Sequence, residues 1–479
     1  MKKTFILNLI ILLVMNVLIK PFWIFGIDRT VQNRLGAQEY GMYFSLLGLA
    51  MVLNIILDAG ITNFNNRAVA RKGSRAGDYL ASLASLKFLL AIAYSLIILA
   101  LGYALNYSSR QIYLLSIIAV NQFLQSMVMY LRSNVSGLQL YLTDSLLSIL
   151  DKALMIFLCG LLLWGPMAAS FCIEWFAYAQ SLATLLTVFA ATWILWRKGG
   201  PFAKIDTRRW FAVLKASLPY ATLVLLMASY NRIDGVMLER MIDNGKHEAG
   251  LYAQGFRLLD AVQMIGYLFA GLLLPMFSRM IRTREPLGPL LRLSYTLILI
   301  GAFTLIMGVW QYRIPLTQLM YPGAEERSAY ILALLITSFG GIATTYIFGT
   351  LLTAQGNLKA LNRMAAISLG LNILLNWILI PHLGAVGSAI ASLSTQWFSA
   401  GVQIYLAVNK VNTGLMLKDA INWFLLILSA VLGTVVCYFT HLPWFAGFLC
   451  IGGFTLATSL LTKQIQFSEI FKLIRRNEN

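Results

Sequence analysis

Residues 36–43 read "GAQEYGMY" and residues 245–252 read "GKHEAGLY", so the pattern Gly-x-x-Glu-x-Gly-x-Tyr occurs twice, 209 positions apart. Each copy lies between two long apolar stretches. A proline, Pro21 or Pro219, falls within the leading stretch of each half and is expected to interrupt it. Equivalent placement in both halves points to an internal duplication rather than chance.

The stretches around the octapeptides set the class. The chain has 479 residues, 59% of them hydrophobic and 12% charged, with mean hydropathy +0.74. A water-soluble chain of this size needs far more surface charge. Apolar runs long enough to cross a bilayer recur from end to end, the signature of a polytopic all-α membrane protein. No polar stretch between them exceeds about 20 residues, so no soluble domain is expected. The first run follows "MKK", is long, lacks a small-residue cleavage site, and reads as a retained helix. Cys159, Cys172, Cys437 and Cys450 all fall inside apolar runs without C-x-x-C spacing and read as small buried hydrophobes.

Fourteen spans are expected: 4–27, 41–63, 79–105, 111–135, 145–165, 168–196, 213–242, 250–276, 290–313, 328–353, 363–382, 385–410, 420–440 and 443–463. Charge tests the count through the positive-inside rule. With both termini cytoplasmic, one set of alternate loops and ends holds 25 basic residues and the opposite set holds 7, leaving five of the 37 inside spans. Adding or dropping a span would scramble that alternation. The net charge of +18 is therefore a matter of topology, and no nucleic-acid partner is expected.

The longest basic connector, "RKGGPFAKIDTRRWFAVLK" (197–215), follows span six. It divides the first twelve spans into lobes 1–196 and 213–410, joined by a cytoplasmic linker (197–212). Residues 411–479 add spans 13–14 and a basic tail. Both octapeptides then fall on the outer side, between the first two spans of each lobe. An even number of spans per lobe preserves orientation, so the repeats are parallel, a plan that secondary transporters use around a central cavity.

Three segments, "RLGAQEYGMYFSLLGLAMVLNIILDAGITNFNNRAVAR", "YNRIDGVMLERMIDNGKHEAGLYAQGFRLLDAVQ" and "LNILLNWILIPHLGAVGSAIASLSTQ", resemble signatures of the polysaccharide-transport flippases. Their superfamily also contains multidrug and toxin extruders and the lipid II flippase. The resemblance covers roughly residues 20 to 410. It implies two pseudo-symmetric six-helix lobes in a V and movement by alternating access. The implied cargo is undecaprenyl-diphosphate-linked oligosaccharide, carried from the cytoplasmic to the outer leaflet of a bacterial inner membrane before O-antigen or capsule polymerisation. Membrane lipids and the polysaccharide polymerase machinery are the partners it implies. Spans 13–14 depart from the commonest twelve-helix layout and are similar to the added pair of the lipid II flippase.

Ionisable residues at membrane depth cost about 2.5–3.5 kcal/mol on insertion scales, so they mark cavities or partners. The basic ones are Lys20, Lys87, Lys152, Arg232 and Arg257; the acidic ones include Asp58, Asp151, Glu174, Asp234 and Asp260. Asn54, Asp58, Thr62 and Asn65 line up at helical spacing on span two. Arg257 and Asp260, three apart, are placed to pair. These positions describe a hydrated, net basic lumen suited to a diphosphate, which Lys and Arg hold through charge-assisted hydrogen bonds. The cations are thus candidate cargo ligands. Asn54, Asp58, Asp234, Asp260 and Glu174 are candidate cavity residues, with H⁺ or Na⁺ coupling left open. The competing reading is structural: snorkelling for Lys20 and Arg257, private pairing for the rest, and Asp151 and Lys152 pointing apart.

An enzyme is not expected. The chain has no G-x-x-x-x-G-K-[ST] phosphate loop and no H-E-x-x-H metal motif. No outer loop exceeds about 15 residues, which argues against a membrane polymerase. No cofactor and no metal are implied. A lipid II flippase and a cation-coupled drug extruder are the alternatives.

Overall fold

The computed structural model describes residues 19, 21–58, 60–62, 77–138, 140–166, 168–199 and 210–464. Most of the 197–212 linker and the C-terminal tail beyond 464 lie outside the described residues. The described fold is all helical, with no strand among the described residues. A π-helical stretch, Trp23–Asp28, leads directly into α1 (Arg29–Leu53), which is followed by short α2 (Ile55–Asp58). The order continues with α3 (Gly77–Ala104), α4 (Ser109–Gly137), α5 (Tyr141–Trp164), α6 (Ile173–Gly199), α7 (Trp210–Met241) and α8 (Gly245–Thr283). It ends with α9 (Gly288–Met320), α10 (Glu326–Gln355), α11 (Leu358–Leu383), α12 (Ala385–Lys410), α13 (Leu417–Thr440) and α14 (Trp444–Leu461).

Among the described residues eleven helical stretches are long and apolar enough to cross a membrane, Trp23–Asp58 counting as one. Two further helices have the length, α7 and α12, and of these α12 has a more polar composition. In α12 the polarity faces inward, since Ser388, Ser392, Thr395, Gln396, Ser399 and Gln403 are all buried. Large apolar side chains point the other way: Phe157, Phe189, Trp377 and Leu449 are each mostly exposed. Apolar outside and polar inside inverts the pattern of a water-soluble protein and suits a lipid surround. The protein is a multi-pass membrane protein.

The chain forms two compact units, Met1–Ala253 and Gln254–Asn479, divided within α8. In the second unit small residues let helices approach closely, the rule when no hydrophobic drive separates helix from lipid. A Cβ on Gly341 of α10 would lie 2.7 Å from the Gln396 carbonyl carbon on α12. Ser368 on α11 and Ser399 on α12 share a 2.8 Å hydroxyl hydrogen bond, and Ser388 donates to Asn376 Oδ1 at 2.8 Å. The α13–α14 pair packs on α9. Trp423 Nε1 donates to Thr296 Oγ1 at 3.0 Å, Arg292 Nε meets Asp419 Oδ2 at 2.9 Å, and Gly308 faces the Phe448 ring.

Two sequence expectations are revised. The octapeptides do stand between helices, but as helix openings rather than loops: a break at Gly36 splits the Arg29–Leu53 stretch at the start of the first copy, and the second copy opens α8. Their glycines and charges read as a loop, but beyond its opening glycine each copy runs as helix. Pro219 does not interrupt its helix either, because α7 runs unbroken from Trp210 to Met241. Pro21, by contrast, stands just before the π-helical Trp23–Asp28, where an irregularity is found.

Candidate functional site

Within the first unit the two octapeptides pack directly on each other. A Cβ added to Gly41 would lie 2.5 Å from Gly250 N and would collide with the Lys246 carbonyl oxygen. A Cβ added to Gly250 would lie 2.5 Å from the Ala37 carbonyl carbon. Gly41 and Gly250 are equivalent positions in the repeat, as are Ala37 and Lys246. The contact is therefore reciprocal, the pattern a two-fold relation produces. Below it α1 continues along α7: a Cβ on Gly48 would lie 2.9 Å from the Arg232 carbonyl oxygen, and one on Gly235 would lie 2.9 Å from Phe44.

The opening glycines of the two copies are glycine for different reasons. Gly36 has φ 78° and ψ 170°, a region open essentially to glycine alone. At Gly245 the constraint is space, because a Cβ there would lie 2.5 Å from the Glu239 carbonyl oxygen across the α7–α8 turn. Tyrosines tie each copy to the helix before it. Tyr40 donates to Asp28 Oδ1 at 2.8 Å and Tyr252 donates to Asp234 Oδ2 at 2.6 Å, both carboxylates being buried.

The predicted cations differ in their immediate surroundings. Lys20 lies outside the described residues. Lys87 is 0% exposed; its ammonium lies 2.9 Å from Asp58 Oδ1, donates to the Leu57 carbonyl at 3.0 Å, and stands 5.8 Å from the Tyr130 ring centre. Burial and pairing fasten α3 to α2 through this lysine. Lys152 is 27% exposed, 3.3 Å from Asp151 Oδ2 and 5.7 Å from the Trp23 ring centre. Neighbours in sequence point apart on a helix, yet the long lysine stem lets its ammonium reach back to Asp151. Arg232 is partly buried on α7, at the level where α7 meets Gly48. Arg257 pairs with Asp260 at 3.4 Å in the second unit, as the spacing of three predicts.

The polar candidates each have partners of their own. Asn54 donates to Gln122 Oε1 at 2.6 Å, joining the end of α1 to α4. Asp58 accepts from Thr62 N at 3.3 Å as well as from Lys87. Glu174 sits in the first turn of α6, where Arg110 bridges it to Glu39 at 2.7 and 2.8 Å. That triad is at least partly solvent-exposed and ties together the starts of α4 and α6 with α1. Among the described residues no group of three His, Cys, Asp or Glu side chains is placed to hold a metal ion.

Three buried carboxylates, Asp28, Glu239 and Glu248, were missed by sequence reasoning. Asp28 lies one residue past the expected first span. Glu239 reads as an ordinary polar residue near a helix end, and its partner Gln111 is 128 residues away, so no local spacing reveals it.

The arrangement has known relatives. A family model described as polysaccharide biosynthesis protein matches residues 6–281. The chain belongs to the polysaccharide biosynthesis protein family. Comparison with the curated proteins finds no match. Among solved structures, this family member is similar to the lipid II flippase MurJ in an inward closed conformation. The identity is 16% and the TM-score 0.70, covering 97% of this chain and 100% of that one. It is also similar to the Vibrio cholerae MATE transporter VcmN in the bent form, at 16% identity and TM-score 0.56, covering 86% and 97%. A MOP superfamily transporter from Pyrococcus furiosus matches at 14% identity and TM-score 0.56, covering 84% and 94%. At these identities the likeness is one of fold.

Proposed function

We propose that this polysaccharide biosynthesis family protein is a flippase for lipid-linked oligosaccharide. It moves a polyprenyl-diphosphate-linked glycan, undecaprenyl in the bacterial inner membrane, from the cytoplasmic to the outer leaflet by alternating access. The observation that carries this reading is the reciprocal packing of the duplicated segment around Gly41 and Gly250. Two like-oriented repeats that meet through matching helix starts provide a junction that closes one end and can part to open it. The 1–196 and 213–410 lobes are the bodies proposed to move. The cargo's greasy tail stays in lipid while its headgroup crosses.

Lys20, Lys152, Arg232 and Arg257 remain the proposed phosphate ligands; Lys87 is left out because its ammonium is sealed against Asp58. No step requires bond making in the cargo, so catalysis is not part of the reading. Ion-gradient coupling completes the proposal, since the chain carries no nucleotide-binding loop.

The test is reconstitution of the full chain in vesicles with a diphosphate-linked glycan, scoring outer-leaflet appearance with and without imposed H⁺ or Na⁺ gradients. Transfer above empty vesicles supports the reading. Transfer of lipid II in preference to the oligosaccharide would reassign the cargo to peptidoglycan precursor, the reading favoured by α13–α14 packed on α9. Failure with both, together with efflux of a hydrophobic cation, would move the protein to the drug extruders.

A further inference from the structure

Two helices of the second unit end in the same unusual way. α8 closes with Glu285 N donating to the Met280 carbonyl at 2.9 Å and Arg284 N donating to the Ile281 carbonyl at 3.4 Å. α14 closes with Gln464 N donating to the Ser459 carbonyl at 2.9 Å and Lys463 N donating to the Leu460 carbonyl at 3.0 Å. This closure turns one residue left-handed, a place that glycine normally takes. Here an arginine (φ 57°) and a lysine (φ 55°) take it, although α10 ends on Gly356 (φ 85°) in the ordinary way. A residue with a Cβ is strained in that conformation, so both helix ends hold a cation against the preference of the backbone.

Both cations line cavities. Lys463 lines one of about 400 Å³ together with Arg292 of α9 and Lys418, Asp419 and Trp423 of α13. Arg284 lines an adjoining cavity of about 620 Å³ with Glu285, and the two cavities share Pro289 and Arg292. The carboxylates among these residues already have partners. Asp419 Oδ2 accepts from Arg292 Nε at 2.9 Å and from Met416 N at 2.8 Å, and Glu285 accepts from the Thr283 hydroxyl at 2.8 Å. Lys418 and Lys463 are exposed and make no ion pair among the described residues. Gln464 fixes the wall that carries Lys463, accepting from Thr296 Oγ1 at 3.2 Å and donating to the Asn422 carbonyl at 3.1 Å. Beside the two lysines in sequence, Met416, Leu417 and Leu461 are 68%, 78% and 83% exposed. A cationic cavity with apolar neighbours, set where spanning helices end, matches a lipid whose headgroup is anionic. A soluble phosphate has no use for the apolar side chains, and a zwitterionic lipid brings an ammonium that the lysines repel.

We propose that the cavity between α9, α13 and α14 binds the headgroup of an anionic phospholipid. Lys418 and Lys463 hold the phosphate diester, Arg292 and Arg284 add to the positive potential, and Met416, Leu417 and Leu461 meet the acyl chains. Bound there, the lipid bridges three helices and fastens the α13–α14 pair to α9. It is a resident lipid rather than cargo, and the site does not rest on the flippase reading.

The experiment uses the full-length chain in detergent, with phosphatidylglycerol and phosphatidylcholine as the probes. Native mass spectrometry counts the lipid retained, and thermal unfolding reports the gain in midpoint. Wild type is expected to retain phosphatidylglycerol over phosphatidylcholine by about tenfold. Lys418→Gln with Lys463→Gln is expected to lose that preference. Lys359→Gln with Arg363→Gln, which removes equal charge from exposed positions at the start of α11, is expected to keep it. Lys463→Gly separates the site from the fold: relieved of the left-handed strain, it is expected to raise the midpoint without lipid and to shrink the gain from phosphatidylglycerol. No preference in wild type, a preference untouched by the lysine pair, or one lost equally in the α11 control would overturn the proposal. So would displacement of phosphatidylglycerol by glycerol phosphate alone, which would make this a soluble-anion site, or preferential displacement by polyprenyl diphosphate, which would make it a cargo site. Glycan transfer is not a readout here, so a protein that retains phosphatidylglycerol yet flips no glycan would refute the cargo and leave the lipid site standing.

Discussion

Gly41 and Gly250, equivalent positions of the duplicated octapeptide, touch backbone to backbone, with a Cβ on Gly41 falling 2.5 Å from Gly250 N. Neither partner atom sits at the end of a flexible side chain, so neither can swing away. Alanine at either position must push α1 and the start of α8 apart. Overpacking of this kind costs about 1–3 kcal/mol. Gly41→Ala and Gly250→Ala are expected to lower the thermal midpoint of the detergent-solubilised protein and to shift the junction towards its open form. Gly301→Ala, with nothing within 4 Å of its Cβ, is expected to leave the midpoint unchanged or raise it slightly. Equal behaviour of the three variants would contradict the close crossing.

Gly36 separates conformation from space. Nothing lies within 4 Å of its missing Cβ, yet its φ of 78° excludes other residues. Gly36→Ala is therefore expected to cost about 1–3 kcal/mol through backbone strain alone, seen as a lowered unfolding midpoint. A neutral Gly36→Ala would show that the bend in α1 is not held in this conformation.

Lys87 and Asp58 form a pair whose lysine has no solvent contact, while Asp58 stays 27% exposed. Removing the lysine strands a carboxylate, and breaking such a pair costs on the order of 3 kcal/mol, the low end of the buried range because Asp58 keeps some water. Lys87→Met is expected to destabilise strongly. Lys87→Met combined with Asp58→Asn is expected to recover part of that loss, giving a coupling well below additivity. Stability untouched by Lys87→Met, with glycan transfer abolished, would instead make Lys87 a cargo ligand.

These cases show what could be read without coordinates. Helix number from α3 onward was legible because apolar runs and alternating basic loops report the same boundaries independently. The Arg257–Asp260 pair was legible because it is local, three residues apart on one helix. The fate of Lys87 was not, since Asp58 is 29 residues away and helical spacing says nothing about which helix a face meets. Glu239 was the least visible, because its environment is assembled from α1, α4 and α7, and a lone glutamate near a helix end looks like an ordinary surface charge. The octapeptides were found at the right junctions but read as loops, since the glycine that breaks a helix at 36 and the glycines that permit close crossing at 41 and 250 look the same in sequence as loop glycines.

Arg110 lies between Glu39 and Glu174 but is 48% exposed. Exposed ion pairs contribute about 0–1 kcal/mol and weaken with salt. Arg110→Ala is expected to shift the unfolding midpoint little, with the difference from wild type vanishing at high ionic strength. A large, salt-independent loss would mean that the triad carries a load its exposure does not suggest.

Lys152 and Arg232 give the sharpest test of the cargo. Lys152 keeps 27% exposure beside Asp151 and the Trp23 ring, so it retains open donors that the sealed Lys87 lacks. A hydrogen bond from a charged donor to a phosphate oxygen contributes about 1.5–3 kcal/mol, so losing it should slow transfer by roughly 10- to 100-fold. Charge reversal by Lys152→Glu or Arg232→Glu is expected to reduce glycan transfer by that factor while the protein keeps its unfolding midpoint within a few degrees. Lys152→Arg is expected to restore most of the rate, because the charge is kept. Vesicle assays with diphosphate-linked and monophosphate-linked glycans sharpen the result: if both variants impair the two cargos equally, the cations set the general potential of the passage, whereas a selective loss with the diphosphate places them on the linker itself.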